Sequence, residues 1–231
     1  MSDFVISLPP RPQIPVRGDS RAFPVRRIWC VGRNYADHAR EMGADPDREP
    51  PFFFAKPGDA IVPGDAEISF PTMTDDLQHE VELAVAIGLP GRDIAEKDAL
   101  SHVFGYAIAL DMTRRDLQAE AKKMARPWDI SKGFDQSCPI GRIATVADAP
   151  GLEEAVLTLE VNGAVRQQAP LGEMIWPVAD CIAFLSRYVA LEPGDLVLTG
   201  TPAGVAGVHA GDTLRATCGG LDPLEVRYVP A

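Results

Sequence analysis

In the stretch HEVELAVAIG, residues 79–88, Glu80 and Glu82 take alternate positions in an otherwise apolar run. On a strand the two carboxylates share one face, while Val81, Leu83, Val85 and Ile87 turn the other way, toward a core. Two like charges side by side need a divalent cation, basic partners or water around them. Asp111 ends a second apolar run, VFGYAIALD, where a helical pattern begins. If those two strands are neighbours, three carboxylates converge, and an all-oxygen set suits Mg²⁺, Mn²⁺ or Ca²⁺ better than zinc. His79 does not redirect this toward zinc, because HExxH would need a histidine where Leu83 stands.

Other groups could join such a site. In NYADHAREMG, His38 and Glu41 would share a helix face, and a carboxylate that orients an imidazole makes it a base able to take a proton from water. An ordinary polar pair on a surface turn has the same spacing. Lys132, in DISKGFDQSCPIG, reads locally as a solvated loop lysine. In TRRDLQAEAKKMA, Arg115, Gln118 and Lys122 gather on one face and Leu117, Ala121 and Met124 on another, with Thr113 and Asp116 as a capping-box-like start. LTGTPAGVAG, residues 198–207, carries a strand into a glycine-rich loop whose amides and Thr201 hydroxyl could meet an anion. It has neither GxGxxG spacing nor a P-loop lysine, and no GxSxG marks a serine nucleophile.

The elements that must position these groups are short strands and a few helices. Residues 1–25, rich in proline, read as an extended N-terminal arm on the surface, and residues 26–231 as one catalytic domain. RRIWCVG is a strand. The helix over 34–43 would take Asn34 as N-cap and Gly43 as its stop. The loop ADPDREPP leads into FFFAKPGDAIV, whose aromatic run enters the core and carries Lys56. LTLEVNGAVRQQ is a hairpin turning at Asn162-Gly163. A helix over 177–189 shows Val178, Ile182, Leu185 and Val189 on its apolar face. EPGDLVLTG, HAGDTLRATC and LDPLEVRYV repeat turn then strand, which suits an α+β fold built on a rolled, mixed sheet.

The 231 residues suffice for one large domain, and a net charge of −11 from 33 acidic and 22 basic residues disfavours nucleic acid and anionic membrane as partners. No segment approaches the roughly 20 apolar residues of a membrane span, so a soluble, cytoplasmic protein is expected. Four cysteines, Cys30, Cys138, Cys181 and Cys218, lack CxxC spacing and read as reduced packing residues.

VGRNYADHAREMG, PFFFAKPGDAIV, HEVELAVAIG, ALDMTRRDLQ, SKGFDQSCPIG and PGDLVLTGTPAGV follow one another in an order that resembles the fumarylacetoacetate hydrolase family, in its short single-domain branch. The resemblance spans about residues 25–229, and REMGADPDREPPFFFAKP with DMTRRDLQ is most similar to its fumarylpyruvate and acylpyruvate hydrolases. It implies a mixed β-roll, usually a homodimer, with Glu80, Glu82 and Asp111 holding one Mg²⁺ or Mn²⁺. It also implies that His38 and Glu41 activate water on a lid segment, and that Arg115, Gln118, Lys132 and Thr201 contact substrate, with Lys56 also at the site. The implied reaction is hydrolysis of a 2,4-diketo acid, a small molecule that chelates through its carboxylate and 2-oxo oxygen. Water attacks the 4-carbonyl and pyruvate leaves as its enolate, with Lys132 a further source of positive charge. Oxaloacetate decarboxylation, isomerisation of a 2-hydroxymuconate-type dioate, or plain binding of a metal or small molecule would draw on the same groups.

Overall fold

The structure, a computed structural model, describes residues 4–7, 9–41 and 50–231. Gly43 and residues 44–49 of the loop ADPDREPP lie outside the described residues. The largest sheet is mixed and runs, in spatial order, Phe52–Lys56, Arg27–Gly32, Asp195–Leu198, Val81–Ile87, Val103–Leu110, Cys138–Ile140 and Ile61–Pro63, with Ala144–Thr145 beside Val103–Leu110. A second sheet orders Ala164–Pro170, Val156–Val161, Thr213–Cys218, Leu224–Val229 and Ala66–Ser69. A small three-stranded ribbon orders Thr113–Arg114, Leu77–Gln78 and Gly207–Val208. These curled mixed sheets with few helices are the α+β roll expected from the sequence.

Strand Val81–Ile87 is buried on both faces, which explains why its residues are apolar almost throughout. Val81, Leu83, Val85 and Ile87 join the main cluster, as their alternation predicts. The opposite face carries Ala84 and Ala86 beside Ala107 and Ala109, and these small side chains let a second apolar layer come close. That layer includes Ile14, Val16, Phe23 and Val25. Among the described residues, the N-terminal arm is exposed at every position of 4–7 and 9–11. From Gln13–Pro15, paired with Ala22–Pro24, it is a hairpin anchored in the core, because its alternate residues are apolar.

Local expectations held where side-chain periodicity sets the structure. The Asn162-Gly163 turn joins its two strands with φ of 52° and 78°, the left-handed backbone that a two-residue hairpin loop needs. Helix Val178–Tyr188 buries Ile182 and Leu185. Both proposed helix caps were wrong. Asn34 is not an N-cap: helix Ala36–Glu41 starts two residues later, and the Asn34 amide instead donates to Trp176 O and Thr199 O and accepts from Trp176 N. Thr113 belongs to a strand, its hydroxyl donating to Asp111 O, and helix Arg115–Lys123 begins without a side-chain cap. Met124 is exposed rather than part of a buried stripe, while Gln118 is buried with Ala121. All four cysteines are buried free thiols, and burial pushes Cys138 and Cys181 up to about 12, as inert packing residues require.

Candidate metal centre and active site

The pairing of strands Val81–Ile87 and Val103–Leu110 creates the site. Val81 faces Leu110 and Glu82 faces Ala109, so one step outward Glu80 faces Asp111, whose amide donates to Glu80 O at 2.8 Å. Period-two alternation then puts Glu80, Glu82 and Asp111 on one face of adjacent strands. Each offers a carboxylate oxygen within 4.8 Å of the others. Their exposures are 5%, 2% and 0%, which excludes a solvated acidic face.

Basic side chains gather around two of the three. Lys132 Nζ donates to Glu80 Oε2 at 2.6 Å and Asp111 Oδ2 at 2.7 Å. Lys56 Nζ sits 2.8 Å from Asp111 Oδ1 as an ion pair, with its hydrogen bonds directed to Met112 O and Lys132 O. Arg115 donates to Glu80, to Gln78 Oε1 at 2.7 Å and to Gln118 Oε1 at 2.7 Å. Burial would raise the Glu80 carboxyl, but Lys132, Arg115 and His38 together hold it far below the usual range. Burial would lower the Lys132 ammonium, and Asp111 and Glu80 instead raise it.

Glu82 is the exception. It accepts from the Gly200 amide at 2.7 Å, and among the described residues no lysine or arginine pairs with it. Burial, then the neighbouring charges of Asp111 and Glu80, push its carboxyl well above the ordinary value. A buried carboxylate beside two others, with oxygen donors only, is a set that a hard divalent cation would fit and neutralise. Gly200 makes the amide contact possible: its φ is 93°, and a Cβ there would lie 2.7 Å from Asn34 Cβ.

One pocket is lined by His38, Glu80, Glu82, Arg115, Gln118, Lys132 and Thr201, with Phe52, Phe54 and Trp128 as aromatic wall. Lys132 is thus a buried ion-pair residue at the end of helix Asp129–Lys132, not a solvated loop lysine. Three other expected site residues have the following contacts. Lys56 is off the pocket wall, behind Asp111, where it can brace that carboxylate but not touch a ligand. The Thr201 hydroxyl lines the pocket but donates to Val81 O at 2.8 Å, so its hydrogen is committed to the backbone. Glu41 Oε2 lies 3.6 Å from His38 Nδ1, just beyond hydrogen-bond reach, and its carboxylate accepts from Gly204 N at 3.2 and 3.3 Å. His38 itself is buried, and burial first, then Arg115 and Lys132, lower its pKa against the pull of Glu80 and Glu41.

Gln167, which the sequence reading passed over, ties this neighbourhood together. Its Oε1 accepts from Val81 N at 3.1 Å and meets His79 Nδ1 at 2.9 Å, while Nε2 donates to Thr201 Oγ1 and Pro202 O, both at 2.8 Å. One fully buried amide thereby fixes the start of the carboxylate strand against the 201–202 loop. His79 is a neighbour of the site rather than a member of the carboxylate cluster.

Residues 27–229 match the family model described as fumarylacetoacetate (FAA) hydrolase C-terminal. The chain belongs to the fumarylacetoacetate hydrolase family. A solved structure of fumarylpyruvate hydrolase from Pseudomonas aeruginosa in complex with Mn²⁺ and pyruvate superposes with a TM-score of 0.97 at 45% identity, covering 99% of this chain and 100% of the other. A mitochondrial oxaloacetate decarboxylase of Dictyostelium discoideum is 43% identical over 85% of this chain and 90% of its own. A mitochondrial oxaloacetate tautomerase of Homo sapiens is 41% identical over 86% of this chain and 92% of its own. Family membership makes the chain an enzyme of this kind, and its relatives catalyse more than one reaction.

Proposed function

We propose that this chain hydrolyses the carbon–carbon bond of an acylpyruvate, and that its substrate is fumarylpyruvate, cleaved to fumarate and pyruvate in aromatic (gentisate) catabolism. The observation that carries the reading is the meeting of a buried imidazole, His38, with Glu80 and Glu82 in one pocket, where the two carboxylates cluster with the buried Asp111 behind them. The 45% identity to a fumarylpyruvate hydrolase solved with Mn²⁺ and pyruvate supports it. One Mg²⁺ or Mn²⁺, with Ca²⁺ as a substitute, would be held by Glu80, Glu82 and Asp111. Bound there, the ion would supply positive charge to the substrate's carboxylate and 2-oxo oxygens as enolate character develops.

The chain's own residues do the rest. His38, kept neutral by burial, takes a proton from the attacking water. Glu41 orients the ring once the 3.6 Å gap to Nδ1 closes. Lys132, already fixed between two carboxylates, holds an ammonium at the edge of the developing charge. Gln118 gives Oε1 to Arg115, which leaves its amide nitrogen as the donor for a substrate oxygen. The working form on this reading is a cytoplasmic homodimer.

A panel of acylpyruvates assayed with added Mg²⁺ or Mn²⁺, then with EDTA, tests the assignment. Fumarylpyruvate should have the highest kcat/KM and lose its enol absorbance to fumarate and pyruvate. Good turnover of another acylpyruvate with none of this one sinks the fumaryl assignment. Oxaloacetate decarboxylation or isomerisation of a 2-hydroxymuconate-type dioate is the second reading, favoured by the 43% identical decarboxylase. Released CO₂ or a shifted double bond, in place of two cleaved acids, would establish it.

A further inference from the structure

We propose that Asn34 is a positioning residue for the reaction: its buried amide ties the helix that carries His38 to the turn that holds Glu82, and so sets where the imidazole stands relative to the carboxylate cradle. The inference rests on the reading above that His38 takes a proton from water beside an ion held by Glu80, Glu82 and Asp111, and it adds a residue that acts only through them.

His38 needs such support. Its Nδ1 is a buried atom without a hydrogen-bond partner among the described residues, and Glu41 Oε2 stands 3.6 Å away, so no hydrogen bond at that nitrogen orients the ring. The ring inherits its place from helix Ala36–Glu41, whose 6 residues are too few for a helix to hold itself. At the far end of that helix the exposed Glu41 carboxylate reaches Gly204 N at 3.2 and 3.3 Å. The ties at the near end are buried and shorter. Asn34 is 0% exposed. Its Nδ2 donates to Thr199 O at 2.7 Å and Trp176 O at 2.9 Å, its Oδ1 accepts from Trp176 N at 2.7 Å, and its carbonyl accepts from Ile175 N at 2.8 Å. Tyr35 adds an antiparallel bridge to Met174, and Tyr35 O accepts from the Ala39 amide at 2.8 Å.

The partners of Asn34 give it a role beyond stability. Thr199 is followed by Gly200, whose amide donates to Glu82 Oε2 at 2.7 Å, and the Thr199 amide and hydroxyl both donate to Leu83 O, at 3.0 and 3.1 Å. One turn therefore grips the carboxylate strand on one side and the Asn34 amide on the other. The approach is tight, since a Cβ on Gly200 would stand 3.3 Å from Asn34 N. His38 follows Asn34 by one helical turn, so this amide sets the distance between the imidazole and the cradle it works beside. A misplacement of about 1 Å in such a distance can cost on the order of 10²-fold in rate. Two donors and one acceptor are used here, a set that a carboxylate of the same size cannot supply.

Asn34→Asp, which keeps the volume and loses the donors, and Asn34→Ala test the role on fumarylpyruvate at saturating Mn²⁺, each alone and combined with His38→Ala. Each alone should lower kcat about 10–100-fold, with KM and Mn²⁺ affinity within about threefold of wild type. In the His38→Ala background the same changes should cost no more than about twofold, because Asn34 acts through the imidazole. Losses that add in full to that of His38→Ala, losses that vanish as Mn²⁺ is raised, an unchanged kcat, or two variants that do not fold would each overturn the proposal. Diethyl pyrocarbonate labelling, read by peptide mass spectrometry, needs no turnover. His38 should react about tenfold faster in the variants, while His79, also buried but held by Gln167, stays protected. If wild type cleaves no acylpyruvate, the hydrolase reading falls and the labelling decides. Selective exposure of His38 sustains the positioning role, whereas unchanged labelling, or His38 and His79 rising together, overturns it.

Discussion

Burial holds the His38 imidazole below its ordinary pKa of 6.5, with Glu80 and Glu41 pulling upward and Arg115 and Lys132 adding to the depression. Its base form therefore survives to lower pH than a free imidazole would allow. The acid limb of kcat/KM, which reports the free enzyme, should lie below pH 6.5, and His38→Ala should lower kcat by about 10²–10⁴ while Mn²⁺ still binds. An acid limb above pH 6.5, or loss of metal in the variant, contradicts the role. The sign for stability is the same: the folded state binds fewer protons at this site than the unfolded chain, so its stability falls as pH drops through the unfolded value. Glu82 makes an independent prediction. Its carboxylate is buried beside Glu80 and Asp111 without a basic partner among the described residues, so without metal its charge burdens the fold. Glu82→Gln in EDTA should melt no lower than wild type, whereas the rise in Tm that Mn²⁺ gives wild type should vanish. A variant that melts well below wild type in EDTA would show that the carboxylate is wanted for the fold alone.

At the scale of elements, the carboxylate strand is held from its far side by the hairpin that carries Gln167. Gln167→Leu would leave Val81 N, Pro202 O and the Thr201 hydroxyl without their buried partner, at a cost of about 2–4 kcal/mol. Urea unfolding should show that loss, and Mn²⁺ affinity should fall with it because Glu80 and Glu82 flank the freed Val81 amide. Unchanged metal affinity in a folded variant would confine Gln167 to stability. The same element explains what the sequence could and could not reveal. Glu80, Glu82 and Asp111 were legible because strand alternation is a local signal and their faces follow from it. Gln167 was not, since QQ near a hairpin end looks like surface, and only the inward turn shared by Gln167 and Ala169 distinguishes it. Asn34 misled because its amide is recruited by partners distant in sequence, Trp176 and Thr199, and Thr113 because its hydroxyl turns back two residues to Asp111 O. Lys132 and Lys56 looked solvated or substrate-facing for a similar reason: their carboxylate partners come from other elements.

For the molecule as a whole, the sheet that carries the site is buried on both faces, and its second face is closed by the N-terminal hairpin. Proline content suggested an arm laid on the surface, but Ile14, Val16, Phe23 and Val25 are each under 9% exposed and pack with the strand alanines. Burying such side chains contributes about 1.5–3 kcal/mol each, so the four together are comparable to the roughly 5–15 kcal/mol net stability of a domain. The Val25 amide also donates to Pro12 O at 2.8 Å, and Arg26 and Arg27 both pair with the buried Asp195 at the far edge of the same layer. Two truncations separate a surface arm from a structural layer. Removing residues 1–10, whose described members are exposed, should leave Tm and Mn²⁺ binding near those of the full chain. Removing residues 1–25 should give a chain that fails to fold, or that melts far lower and loses metal, because Ala84, Ala86, Ala107 and Ala109 would face water on the sheet that holds Glu80, Glu82 and Asp111. A shorter chain beginning at residue 26 with wild-type melting and metal affinity would restore the boundary that the sequence suggested.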